Sequence, residues 1–334
     1  MRAGEIPTVP ATPWAGRGSP NSRMVSSMSS WDDDERAALL ALLRARPESM
    51  TWSRITSEVV DAGSARAVWE RFGVPSLFDA DAEVFHDTEP EIESAKEDIA
   101  AWRSAEFDFI TFRDDEYPQQ LREVNQFPPF VFVRGTRVPR ENAVSVVGSR
   151  KASPAAWDTA VDISARLVEA GFTVLSGLAS GIDTAAHNTA LENGGRTVAV
   201  IGNGIRRVYP AANRELQERI AREGMVLSQF WPDSPPAKHT FPMRNATMSA
   251  YGIATIVVEA GEHSGARIQA RTAVEHGRPV ILLDPVVRGT AWGASLRGQP
   301  GVFVVDSPRS AVSAVEQIVS GKQQVERLLA APVS

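Results

Sequence analysis

The run VSVVGSRKASP, Val144 to Pro154, is the stretch whose reading decides the fold. Four residues, three of them β-branched, predict a short buried strand. The chain then turns at Gly148-Ser149-Arg150, and a helix opens with Ser153 at the N-cap and Pro154 in the first turn. A strand-to-helix turn of this kind gathers backbone N–H groups, a hydroxyl and a guanidinium around one spot. That spot suits a phosphate, of a nucleotide or of a nucleic-acid backbone. The spacing is not Gly-x-Gly-x-x-Gly, so neither a nicotinamide nor a flavin is expected.

Outward from that run the pattern repeats. Short apolar strands are predicted over 144–147, 173–175, 197–201, 225–227, 255–258, 280–283 and 302–305. Helices are predicted between them over 154–170, 182–192, 212–222, 245–250 and 266–276, and last over 310–320. Continuously apolar strands alternating with helices imply an α/β fold: a parallel sheet with helices on both faces. Ligands of such sheets sit outside the carboxyl ends of the strands, and every unusual motif of this chain falls at one of those ends.

Upstream, residues 1–30 read as a disordered tail rich in Pro, Gly and Ser. A small helical domain is expected over 31–108 and a bridging segment over 109–140, with short strands at 109–111 and 131–133. The α/β domain spans 141–320, and 321–334 is read as a tail. Among the 334 residues there is no Cys, which excludes disulfides and thiolate metal sites. No apolar run approaches the ~20 residues of a membrane span, and no signal peptide is evident, so a cytoplasmic protein without membrane contact is expected. The net charge of −6 is uneven: −8 over residues 1–140, +2 over 141–300 and zero over 301–334. Indiscriminate polyanion binding is disfavoured, whereas a local basic groove on the α/β domain is compatible with this distribution.

Five of these strand ends offer candidate residues. Ser149 and Arg150 are phosphate donors beside Gly148. In SGLASGID, Ser176 to Asp183, Gly177 and Gly181 permit a close backbone approach to a ligand. Asp183 with His187 forms either an acid–base pair or a capping carboxylate beside a wall histidine, the latter favoured. Arg206 and Arg207 follow Gly202 and Gly204, either on phosphates or as solvated loop residues. Lys238 to Asn245 (KHTFPMRN) mixes Lys238, Phe241, Arg244 and Asn245, a blend of cations, ring and amide suited to single strands. The competing reading makes Phe241 a core anchor and Arg244 a partner of Glu259. Ser264, a helix cap, and Arg267 behind it are additional contact candidates, as are Arg206 and Arg207. Glu259 is either a general base or the structural partner of Arg150 or Arg244, the structural role preferred. No metal spacing is found among the five histidines.

Taken in order, GSR at 148–150, SGLASGIDTAAH at 176–187, IGNGIRRVYPAAN at 201–213, FPMRN at 241–245 and VVEAGEHSGARIQARTAVEHGRPV at 257–280 are similar to the DNA-processing protein A family, also called Smf. DDEYPQQL at 114–121 agrees, and the likeness covers about residues 110–305. The resemblance implies an extended Rossmann-like domain that binds single-stranded DNA without catalysis. It further implies a homodimer and assistance in loading the RecA recombinase during transformation or recombination. Arg150, Lys238 and Arg244 would carry DNA binding, on a surface shaped by Ser149, Gly177 and Gly181. Two positions depart from the family pattern: Ser228-Gln229 replaces Ser-Glu, and Ala246 stands where a second arginine is usual. The short stretch after the last strand implies that the winged-helix-like extension of many relatives is missing. The competing expectation is a nucleotide-binding sensor, or an enzyme that cleaves a nucleoside monophosphate with Glu259 as base. Against it, the Pro-Gly-Gly-x-Gly-Thr loop of those hydrolases is absent.

Overall fold

The structure is a computed structural model and describes residues 31–73 and 89–330. The stretch read as a disordered tail, 1–30, lies outside the described residues. Four helices come first: α1 (Asp33–Ala45), α2 (Trp52–Ala62), α3 (Ala65–Gly73) and α4 (Glu89–Arg103). Asp32 caps α1, accepting from the Glu35 N–H at 3.1 Å, ahead of three acidic residues in the first turn. Strands β1 (Asp108–Thr111) and β2 (Phe130–Gly135) follow, then β3 (Ala143–Val147) and α5 (Pro154–Glu169).

The α/β alternation continues through β4 (Thr173–Ser176), α6 (Ile182–Glu192), β5 (Thr197–Val200), α7 (Arg214–Glu223), β6 (Met225–Ser228), α8 (Thr240–Tyr251), β7 (Ala254–Val257), α9 (Gly265–Glu275) and β8 (Val280–Leu283). Two short helices, α10 (Asp284–Gly289) and α11 (Ala291–Leu296), lead to β9 (Val302–Val305) and α12 (Pro308–Ala330). All seven strands expected for the parallel sheet are present. The short α10 and α11 were not foreseen, since six residues carry too little periodicity to register. The last helix also runs on to Ala330, across most of the stretch read as a tail.

One nine-stranded sheet runs β1-β2-β6-β5-β4-β3-β7-β8-β9. The seven strands from β3 onward pair in parallel, while β1 and β2 are antiparallel additions. The bridging strands therefore extend this sheet, with Phe132 opposite Ser228 covering what would be an open β6 edge. Alternation along the strands divides the core in two. Val144 and Val146 of β3, Ile256 of β7 and Ile281 of β8 face α5, α6 and α12. Val147, Val257 and Leu282 face the opposite layer, which includes Met248 of α8 and Ala270 of α9. The amino-terminal helices are fastened to the β1–β2 end by rings: Trp102 packs on Phe109 and Phe132, and Trp52 on Phe130 and Trp231.

The chain reverses direction across the sheet between β3 and β7, which lie side by side although three strands, β4, β5 and β6, separate them in sequence. Such a switch point opens a crevice at the carboxyl edge, and the candidate residues are placed around it.

Candidate nucleic-acid interface

A cavity of about 630 Å³ occupies this crevice, between the turn after β3 and the amino-terminal halves of α8 and α9. Gly148, Ser149, Arg150, Asp183, Phe241, Arg244, Asn245 and Ser264 all line it. The predicted residues from β3, α8 and α9 are thus brought together across more than a hundred positions of sequence. Arg150 is exposed, with its guanidinium carbon 5.2 Å from the centre of the half-buried Phe241 ring. Ser149 Oγ accepts from the Lys151 N–H at 3.1 Å, leaving its own proton to give. Ser264 caps α9, accepting from the Ala266 N–H at 3.2 Å. The cavity mouth thus carries a cation, a hydroxyl, an aromatic face and the amino terminus of an eleven-residue helix.

Arg244 has the opposite situation. It is 5% exposed, and its Nη1 donates to the carbonyls of Gly177 and, at 3.0 Å, Val200. Burial pushes its pKa down, a shift that Asp183 opposes and Arg150 reinforces. Its position explains Gly177, because a methyl group there would lie 1.6 Å from Arg244 Nη1. Gly177 therefore makes room for an arginine, correcting the expectation that it admits a ligand. Gly181 has φ +78°, and a Cβ would lie 2.3 Å from the Ser149 carbonyl oxygen. It lets the second loop close on the first, again an internal fit.

The helix α8 begins at Thr240, five residues before the predicted start, so FPMRN is helical. Pro242 falls within the first turn, where its missing N–H is not needed. The turn geometry then divides the motif: Phe241 faces the mouth, Arg244 goes beneath the strand ends, and the Asn245 amide donates to Gly265 O at 3.3 Å. Lys238 is exposed ahead of this helix and lies outside the cavity lining.

The remaining candidates are held elsewhere. Asp183 Oδ2 accepts from the N–H groups of Gly177 and Ala179 at 3.1 and 3.2 Å, in the loop before α6, so it orders that loop and does not cap the helix; burial raises its pKa. His187 is fully buried; its Nδ1 donates to Thr197 Oγ1 at 2.7 Å, while that hydroxyl donates to Val174 O. Burial, with Arg244 adding, pushes its pKa down to about 3, so the ring is neutral and supporting the sheet. Glu259 was expected to meet an arginine; instead its carboxylate accepts from the Ser153 N–H at 3.2 Å and from the Ser153 hydroxyl. A carboxylate finds a helix amino terminus there, with a cap to complete. Arg206 pairs with Asp233 at 2.9 Å over the Phe107 ring, and Arg207 donates to Asp233 O, so both tie two loops together. Arg267 donates to Glu262 O at 3.5 Å and lies outside the lining. The departure at Gln229 is a packing matter, since this buried amide accepts the Thr247 hydroxyl.

Three polar lining residues escaped the sequence reading: Lys151, His263 and Gln269. Lys151 was signalled by adjacency to Arg150. Gln269 was signalled by its place on the Ala266–Ala270–Ala273 inward stripe of α9. Among the described residues no group of three or more His, Cys, Asp or Glu could hold a metal ion, and no helix is long and apolar enough to cross a membrane.

The family model described as DNA recombination-mediator protein A matches residues 108–307, which takes in the whole switch-point crevice. The chain belongs to this family. Protein Smf of Synechocystis is 40% identical over 180 residues, covering 52% of this chain and 45% of the relative. The DNA processing protein DprA of Streptococcus pneumoniae is 36% identical over 215 residues, covering 63% and 75%. The alignment thus spans less than half the length of the Synechocystis protein. The solved structure of S. pneumoniae DprA superposes with a TM-score of 0.59 at 27% identity, over 86% of this chain and 94% of that one. DNA processing protein A of Helicobacter pylori, described for its single-stranded DNA binding mode, has a TM-score of 0.55 at 21% identity, over 63% and 97%, a likeness of fold.

Proposed function

We propose that this recombination-mediator family member binds single-stranded DNA at the switch-point cavity, without catalysis. The observation that carries this reading is Arg150 lying over the Phe241 ring at the cavity mouth. A cation for the backbone beside an aromatic face for a base is the minimal equipment for a single strand. Neither Arg150, Lys151 nor Lys238 is paired with a carboxylate among the described residues, so all three are free to meet phosphates. The non-catalytic reading is supported by how the candidate acid–base groups are engaged: Glu259 with Ser153, Asp183 with backbone N–H groups and His187 with Thr197. The named role of the S. pneumoniae relative and the DNA-binding description of the H. pylori structure support the substrate class. The family's description as a recombination mediator supports assistance to a RecA-type recombinase, and we extend the proposal to that partner and to a homodimer.

The test is titration of labelled single-stranded and duplex oligonucleotides at two salt concentrations, on wild type and on Arg150→Ala/Lys238→Ala. Single strands should bind in a salt-dependent way, duplexes weakly, and the folded double variant should lose at least tenfold in affinity. Equal affinity in the variant would overturn the site. Release of a base from a nucleoside monophosphate would overturn the non-catalytic reading.

A further inference from the structure

We propose that Gln269 reads the edge of a nucleobase held in the cavity. The proposal rests on the single-strand reading above and adds a residue that would recognise bases. Gln269 is 1% exposed, lines the cavity, and neither its Nε2 nor its Oε1 has a hydrogen-bond partner. Its neighbours on the inward face of α9, Ala266, Ala270 and Ala273, are buried and apolar. A carboxamide on such a stripe is costly unless something pairs with it, and an aliphatic side chain of similar size would pack without that cost.

Position tells what the partner is. Ser264 caps α9 at the mouth, and Gln269 lies five residues further along the helix, about 7.5 Å along its axis at 1.5 Å per residue. With phosphate at Arg150 and Lys151 and a ring against Phe241, the inner wall is left for the edge of a base. Asn245, the neighbouring amide, has its N–H₂ engaged by Gly265 O. A carboxamide offers one donor face beside one acceptor, matching the adjacent donor and acceptor on a base's Watson–Crick edge. Both polar atoms are buried without a partner in a residue that lines the cavity, and the terminal torsion of a glutamine is soft, so we infer that a base edge entering the cavity reorients the amide to meet it. Since an amide can present either order of donor and acceptor, the expected discrimination is base edge against no edge, with little preference among bases.

The experiment compares three oligonucleotides on wild type and Gln269→Leu: oligo-thymidine, the same length of N3-methylthymidine, and an abasic strand. N3-methylation blocks the edge while keeping the ring face for Phe241. Wild type should bind oligo-thymidine about five- to tenfold tighter than the methylated strand. In Gln269→Leu that ratio should fall to about one, with abasic affinity and salt slope unchanged. Gln269→Met serves the same purpose if the leucine variant folds poorly. A wild type that binds both strands equally, or a ratio kept in the variants, overturns the proposal while leaving strand binding intact. Failure of the wild type to bind any of the three strands overturns the single-strand reading with it.

Discussion

Arg150 and Arg244 line the same cavity, yet only the first has its charge available to a ligand. Arg150→Ala should lower single-strand affinity about tenfold at low salt, and the slope of log affinity against log salt by about 0.7. Its thermal unfolding should match wild type, which calorimetry checks. Arg244→Ala should instead unfold more readily, because the buried carbonyls of Gly177 and Val200 lose their donor. Gly177→Ala forces a methyl group into that guanidinium and should cost about 1–3 kcal/mol or more in urea unfolding. The two effects share one space, so the alanine at 177 should cost much less once Arg244 is gone. Additive losses in that double-mutant cycle would sink this account of Gly177. We therefore propose an indirect role for Arg244 in binding, as a brace for the strand ends that present Arg150 and Phe241.

At the scale of elements, β4, α6 and β5 are joined by polar groups buried within the sheet, and His187 is the one most sensitive to pH. Its folded pKa, about 3, lies below the ordinary value of 6.5. The folded state therefore binds fewer protons than the unfolded chain between those values, and stability falls as pH drops. The contribution is complete above pH 6.5 and is lost by about 1.4 kcal/mol per pH unit on the way down to about 3. Urea titrations between pH 7 and 4 should show this slope, reduced in His187→Gln; an unchanged slope in that variant would exclude His187 as its source. Further along, Glu259 joins β7 to the start of α5 through Ser153. Glu259→Ala should cost about 1 kcal/mol, the size of a lost helix cap, and leave binding nearly intact. A large loss of binding without a loss of stability would instead place this carboxylate at the ligand.

For the whole molecule, uneven charge governs how a polyanion is received. The segment before residue 141 carries −8, and 141–300 carries +2, so the α/β region is the part of the chain that favours an incoming polyanion. Few phosphate contacts predict micromolar or weaker binding by one subunit and a shallow salt slope. Should two subunits present two cavities to one strand, affinity rises by effective concentration alone, about 10²-fold or more once the oligonucleotide spans both. Light scattering alongside a length series of oligonucleotides tests this: a step in affinity with length is expected for a dimer, and a smooth rise with a monomeric mass would refute it.

The strand–helix alternation, the parallel sheet and the placement of motifs at its carboxyl edge were legible from local patterns alone. Apolar runs, caps and glycines act over a few residues, and the ends of β3 to β7 each carried a signal of their own. What residues did with their side chains was not legible. KHTFPMRN shows three conspicuous groups in eight positions, and nothing local reveals that one turn of helix would aim Phe241 outward and Arg244 under the sheet. Likewise Gly177 reads as a ligand glycine until an arginine 67 positions later is found against it. The sequence by itself determined the architecture and the edge at which a ligand would sit, because hydrophobic periodicity and turn chemistry are short-range. Only the tertiary structure decided which cation stayed exposed and which was consumed inside, because burial depends on neighbours that distant segments supply.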